Sequence, residues 1–148
     1  MENYYKSPEI RWSDIDANMH LRHSVYYDWG AYTRLCFLNE HGLTAQVFAK
    51  EQFGPILFRE ECIFRKEIHF GDSVSIDVKL LTCRPDLSRW SIQHQIKKNN
   101  DIHCATLTVD GAWLHIPTRK LTCPPEIFIE QFLKIPKSNI FEWEPVSK

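Results

Sequence analysis

The hydrophobic period of this chain changes once, and that change limits what it can fold into. From Ser24 to about His41, the residues Val25, Trp29, Tyr32, Leu35 and Cys36 recur three and four apart, the spacing of one helix face. Beyond Ile56 the period drops to two. Ile56 to Phe70 is a long β-rich run closed by the turn signal Gly71-Asp72. In Ser73 to Leu81, Val74, Ile76, Val78 and Leu80 alternate with Ser75, Asp77 and Lys79. Trp90, Ile92, His94 and Ile96 alternate in the same way with Ser91, Gln93, Gln95 and Lys97. Arg84-Pro85-Asp86 and Lys98-Asn99-Asn100-Asp101 supply turns, and Ile102 to His115 reads as the last long strand.

Strands joined by turns this short pair antiparallel. One long helix ahead of an antiparallel meander is an α+β pattern, and a lone helix is buried only where the sheet curves around it. Ser24 is expected to N-cap the helix, with Asp28 early where the dipole favours negative charge and Gly42 stopping it. Ser7 to Trp12 is expected to be extended, and Glu126 to Leu133 to form a short helix. The tail from Pro136 onward is expected to be loosely attached. The 148 residues are expected to form a single domain, with its core at about 7–118 and a terminal helix and tail over 119–148.

A net charge of -1 offers no basic excess to neutralise phosphates, which argues against nucleic-acid binding. Cys36, Cys62, Cys83, Cys104 and Cys123 contain no C-x-x-C pair, so reduced thiols in a cytoplasmic protein are expected rather than a disulfide framework or zinc ribbon. No apolar run reaches the length of a membrane-spanning helix, and the N-terminus lacks the apolar stretch of a signal peptide. The aromatic content of 13% suits a large core, a subunit interface, or both.

Just ahead of the helix, Asp14-Ile15-Asp16-Ala17-Asn18-Met19-His20-Leu21-Arg22-His23-Ser24 gathers two carboxylates, a carboxamide and two imidazoles. Asp14, Asp16 and Asn18 match the opening positions of a calcium loop, but Met19 stands where Gly is needed and Val25 where Glu is needed. His20 and His23 are three apart without further zinc ligands, so no metal is expected. Asx-turns from Asp14 and Asn18, with both imidazoles packing the helix start, would account for part of the cluster. The chemical alternative is a kit for acyl transfer to water, for which a thioester is a natural target. Asp16 would act as general base or nucleophile, and His20 or His23 would share a proton or hold water. The N–H groups near Ser24 would face a developing oxyanion.

This run, followed by Val25-Tyr26-Tyr27 and the helix, resembles the hotdog-fold acyl thioesterases over about residues 7–118. The D-x-D-x-N-x-H pattern of plant-type acyl-ACP thioesterases falls on Asp14, Asp16, Asn18 and His20. In the 4-hydroxybenzoyl-CoA thioesterase branch the second Asp is catalytic, which implies Asp16, and a related bacterial group adds a His corresponding to His23. Phe70-Gly71-Asp72-Ser73-Val74 is similar to the family's turn between its second and third strands. The resemblance implies a hotdog fold, a curved antiparallel sheet wrapped around one long central helix. It implies catalysis by Asp16, His23, His20 and Asn18, with Asp14, Ser24 and Val25 on the substrate side. It further implies an acyl-CoA or acyl-ACP substrate, no cofactor beyond the coenzyme A of that substrate, and a homodimer or homotetramer. An acyl-CoA-binding module and a hotdog dehydratase are the alternatives. His69, His94, His103 and His115 are expected to be structural residues of strands. Arg59, Arg65, Arg84 and Arg89 are expected at the surface, and neither Cys62 nor Cys104 is expected to be a nucleophile.

Overall fold

The computed structural model describes residues 3–145. Its long helix, α1, spans His23–Glu40 and turns Val25, Tyr26, Trp29, Gly30, Thr33, Phe37 and Leu38 inward. The N-cap is Arg22 rather than Ser24, whose hydroxyl is occupied by the Arg22 guanidinium. The reason lies just upstream. An Ile15–Leu21 bridge, with Leu21 N–H donating to Ile68 O at 2.7 Å and Arg22 N–H to Asp14 O at 2.7 Å, delivers the chain straight into the helix. A second helix, α2 (Ala45–Glu51), which the periodicity did not indicate, is capped by the Thr44 hydroxyl accepting from Val47 N–H.

The strands are β1 (Tyr5–Lys6), β2 (Phe53–Phe64), β3 (Val74–Asp77), β4 (Lys79–Cys83), β5 (Arg89–Lys98), β6 (Ile102–His115), β7 (Lys120–Leu121) and β8 (Lys137–Trp143). In sheet order, β3 and β4 lie end to end beside β5, then β6, then β2, all antiparallel. The outer edge of β3 is covered by β1 and that of β4 by β8. The strand expected over Ser73 to Leu81 is broken at Val78, whose N–H leaves the ladder for Tyr4 O at 3.2 Å. Extended pairing at the N-terminus falls on Tyr5–Lys6 rather than on Ser7 to Trp12, and Trp12–Asp14 forms a single 3-10 turn.

β2 ends at Phe64, not Phe70. The N–H groups of both Arg65 and Lys66 converge on Cys104 O at 2.7 and 3.1 Å, which steers the chain off the sheet. His69 therefore lies outside any strand. The segment after Pro136 is not loose either. β8 pairs parallel with β4, Leu80 N–H donates to Pro136 O at 2.8 Å, and the Lys137 ammonium lies over the Phe141 and Trp143 rings.

Alternation on the inner face is strict, with Val74, Ile76, Val78, Leu80, Ile92 and Ile96 all buried. Each such side chain contributes roughly 1.5–3 kcal/mol. The sheet curls around α1 closely enough that a Cβ at Gly30 would stand 2.2 Å from Leu107 Cδ2. A third helix, α3 (Glu126–Phe132), closes the far end by packing Phe128 and Phe132 on Trp113 at ring distances of 5.1 and 5.7 Å.

An imidazole is sealed inside. His94, at 0% exposure, has Nδ1 2.6 Å from Asp77 O and Nε2 2.9 Å from Arg34 Nη1. Arginine only donates, so Nε2 accepts and Nδ1–H donates to the carbonyl. Burial, reinforced by the Arg34 charge, pushes the imidazole down to about 3, so it is neutral at physiological pH.

Candidate active site

The loop ahead of α1 is closed by backbone. Asp16 N–H donates to His20 O at 2.8 Å and Met19 N–H donates to Asp16 O at 3.0 Å, with Met19 in the left-handed region at φ 67°. Oδ1 of Asp16 accepts the N–H groups of Asn18 and His20 at 2.9 and 3.1 Å. Its other carboxylate oxygen makes no hydrogen bond with any described residue. The loop thus fixes the carboxylate through one oxygen and leaves the second available.

Asp16, His20 and His23 come together with Leu21, Tyr26 and Phe64 around a cleft of about 280 Å³, completed by the polar segment Arg65-Lys66-Glu67. The His20 ring stands edge-on to His69, with centroids 5.0 Å apart. The Glu67 carboxyl is held below its ordinary value, first by its own backbone N–H and then by neighbouring His20. No acceptor among the described residues takes the N–H of His23 or Ser24. These opening donors of α1 are unpaired among the described residues, at the end of the helix that favours negative charge.

The remaining expected residues lie elsewhere. Asp14 is only 1% exposed and faces away from the cleft, where Arg11 holds it through Nη2–Oδ1 at 2.9 Å and backbone N–Oδ2 at 2.9 Å, with Arg22 at 3.8 Å. Burial would raise its carboxyl, but the Arg11 hydrogen bonds and the charges of both arginines outweigh this and hold it below the ordinary range. Asn18 is exposed and contributes its backbone N–H. Val25 is 2% exposed in the core, and Ser24 is tied to Arg22. Burial pushes the Cys62 thiol up to about 11 and raises Cys104 as well, so neither is a ready thiolate.

Farther along α1 is a separate apolar cavity of about 230 Å³, lined by Leu35, Leu38, Phe48, Leu57, Trp90 and Phe132 among others. Arg34 forms its polar wall and faces Glu60 across 3.7 Å. The helix rises about 18 Å between His23, which lines the cleft, and Leu35, which lines the cavity. On β2, Leu57, Phe58, Ile63 and Phe64 are exposed, and among the described residues β2 pairs only with β6. The loop motif alone did not single out Tyr26, Phe64 or the Arg65-Lys66-Glu67 segment as part of a site. The available signal was that Tyr26 falls one helical turn beyond His23, on the same face.

Among the described residues no group of three or more His, Cys, Asp or Glu is placed to hold a metal ion. Among the described residues no helix is long and apolar enough to cross a membrane.

A family model described as the thioesterase-like superfamily matches residues 10–132. No curated protein matches the chain by sequence. Among solved structures, the chain is similar to a Staphylococcus aureus protein in complex with CoA, with a TM-score of 0.84, 18% identity, and coverage of 93% of this chain and 87% of that one. It is similar to a 1,4-dihydroxy-2-naphthoyl-CoA thioesterase from Synechocystis, with a TM-score of 0.80, 13% identity, and coverage of 90% and 97%. A third is a thioesterase from Thermus thermophilus complexed with coenzyme A and Zn, with a TM-score of 0.72, 19% identity, and coverage of 88% and 93%. At these identities the likeness concerns the fold, which is the expected hotdog arrangement.

Proposed function

Because the chain belongs to the thioesterase-like superfamily, we propose that it hydrolyses an acyl thioester of coenzyme A, with Asp16 as the carboxylate that drives the reaction. The observation that carries this reading is the half-free Asp16 carboxylate, sharing a cleft with His23, whose backbone N–H is unpaired at the start of α1. The thioester carbonyl oxygen sits against the N–H groups of His23 and Ser24. The free oxygen of Asp16 takes a proton from water as that water attacks the carbonyl carbon, and negative charge gathers on the oxygen facing the helix start. Collapse breaks the C–S bond, the acyl group leaves as the acid, and the sulfur takes up a proton to leave as thiol. Attack by Asp16 itself, through an anhydride that water then opens, gives the same products. The side chains of His20 and His23 hold the water and the departing sulfur. Asn18 acts through its backbone N–H, and Asp14 anchors the loop.

The apolar cavity between α1 and β2 receives the acyl chain. A net charge of -1 favours coenzyme A over an acidic carrier protein as the thiol, and two fold neighbours are complexes with coenzyme A. The exposed apolar side chains of β2 make that strand the seam of a homodimer. Five free thiols suit a reducing compartment such as the cytoplasm.

Incubation of the protein with a panel of acyl-CoA esters and a thiol-capturing dye tests the reading. Thiol release is the expected result. Tight binding without release would instead make the chain an acyl-binding module, and a hydrated product without thiol would make it a dehydratase.

A further inference from the structure

Tyr26 is 3% exposed, packed with Leu21, Val25, Trp29 and Ile68, and its ring is held edge-on by Phe64 at 4.9 Å. Packing accounts for the ring but not for the hydroxyl, which makes no hydrogen bond with any described residue. Among the described residues the buried polar atoms without a partner belong to Thr82, Arg84, Trp90 and Trp113, so the unpartnered Tyr26 hydroxyl is not sealed in and opens on accessible space. The exposed 3% is not random surface, because Tyr26 lines the cleft that holds Asp16, His20 and His23. Three residues beyond His23 on the helix, it lies about one turn farther along and on the same face as the His23 side chain.

We propose that the Tyr26 hydroxyl is a catalytic hydrogen-bond donor to the reacting thioester oxygen, acting beside the backbone N–H groups of His23 and Ser24. The proposal rests on the thioester-hydrolase reading and adds a residue to it. As the carbonyl becomes tetrahedral its oxygen gains charge, and the phenol O–H donates to it without giving up the proton, so no proton needs to be returned. Burial disfavours the phenolate, and the Cys104, Cys62, Asp16 and Glu67 groups around it act in the same direction, so the donor keeps its proton through the neutral range. A neutral donor in a site already containing Asp16 and Glu67 adds stabilisation where charge develops, without the desolvation cost of a buried cation.

The test is Tyr26→Phe, followed by thiol release and by binding of two CoA analogues. One is an S-alkyl thioether without a carbonyl, and the other is a trifluoromethyl ketone that hydrates to mimic the tetrahedral state. The expected result is a kcat lower by about 10- to 100-fold with KM within about twofold. Affinity for the ketone should fall by a similar factor, while affinity for the thioether is unchanged. Weakening of both analogues alike would assign Tyr26 to packing and overturn the proposal, as would wild-type kcat. Should the variant not fold, 3,5-difluorotyrosine at position 26 keeps ring and hydroxyl but ionises more readily. It should add an alkaline limb to the kcat profile, and an unchanged profile would overturn the proposal. A wild-type protein that releases no thiol from any acyl-CoA would remove the hydrolase reading and this one with it. An active wild type matched by Tyr26→Phe removes Tyr26 alone.

Discussion

Asp16 and His20 close on each other twice. The backbone N–H of Asp16 donates to His20 O at 2.8 Å, and Oδ1 of Asp16 accepts the backbone N–H of His20 at 3.1 Å. The carboxylate is thus positioned by main chain, with no side chain between Asp16 and His20 required to hold it. This separates the backbone of Asn18 from its side chain. Asn18→Ala keeps the N–H that reaches Oδ1 and is expected to leave kcat within about threefold of wild type, since main-chain donors are untouched. Steady-state thiol release measures this, and a loss of two orders of magnitude would mean the carboxamide itself holds water or substrate.

Gly30 reverses the usual helix-propensity argument. On an open helix surface, glycine to alanine stabilises by up to about 1 kcal/mol. Here the new Cβ would meet Leu107 Cδ2 at 2.2 Å in a fully buried inner face. Gly30→Ala is expected to destabilise by about 1–3 kcal/mol through overpacking, as read from a denaturant midpoint.

The Arg11–Asp14 pair anchors the loop from behind and makes stability depend on acid. The Asp14 carboxyl ionises below its ordinary range in the folded state, so its contribution is fully present above about pH 4 and is lost as pH falls through the folded value. Asp14→Asn is expected to cost about 1–3 kcal/mol at pH 7 and progressively less below pH 4. Urea unfolding across that range tests both statements.

His94 acts in a neighbouring window. An unfolded histidine takes a proton near pH 6.5, whereas the buried one resists down to about 3. Stability therefore falls as pH drops from about 6.5 toward 3, at a limiting slope of about 1.4 kcal/mol per pH unit for one such group. His94→Gln removes the titration and should flatten that part of the stability curve, whatever it costs at neutral pH.

What the sequence made legible follows from where local pattern governs. The inner-face alternation of Val74 to Leu80 and Trp90 to Ile96 is a local consequence of burying one side, and the structure has it. The helix is present too, but of its expected face only Val25 and Trp29 are buried, while Tyr32 and Leu35 are exposed and Tyr26, Gly30, Thr33, Phe37 and Leu38 turn inward instead. α2 went unseen because seven residues are too few for a helical period to accumulate. β8 went unseen because its partner is β4, more than fifty positions earlier, and nothing within Lys137–Trp143 announces a parallel pairing. The β-rich run expected over Ile56 to Phe70 stops at Phe64 because Arg65 and Lys66 converge on a single carbonyl from β6, a tertiary event. In the loop, the motif drew attention to Asp14 and Asp16 alike. Arg11, just outside it, is what turns Asp14 away from the cleft. Tyr26 lies outside both the loop motif and the helix face formed by Val25, Trp29, Tyr32, Leu35 and Cys36, and its ring is packed in the core.

Hydrolysis, as proposed, depends on the carboxylate of Asp16. Thiol release from an acyl-CoA by wild type and by Asp16→Asn, with thermal unfolding to confirm that both are folded, isolates that one group. The expected result is a kcat lower by at least about 100-fold in the variant with acyl-CoA binding retained. A folded Asp16→Asn that releases thiol at the wild-type rate would contradict it.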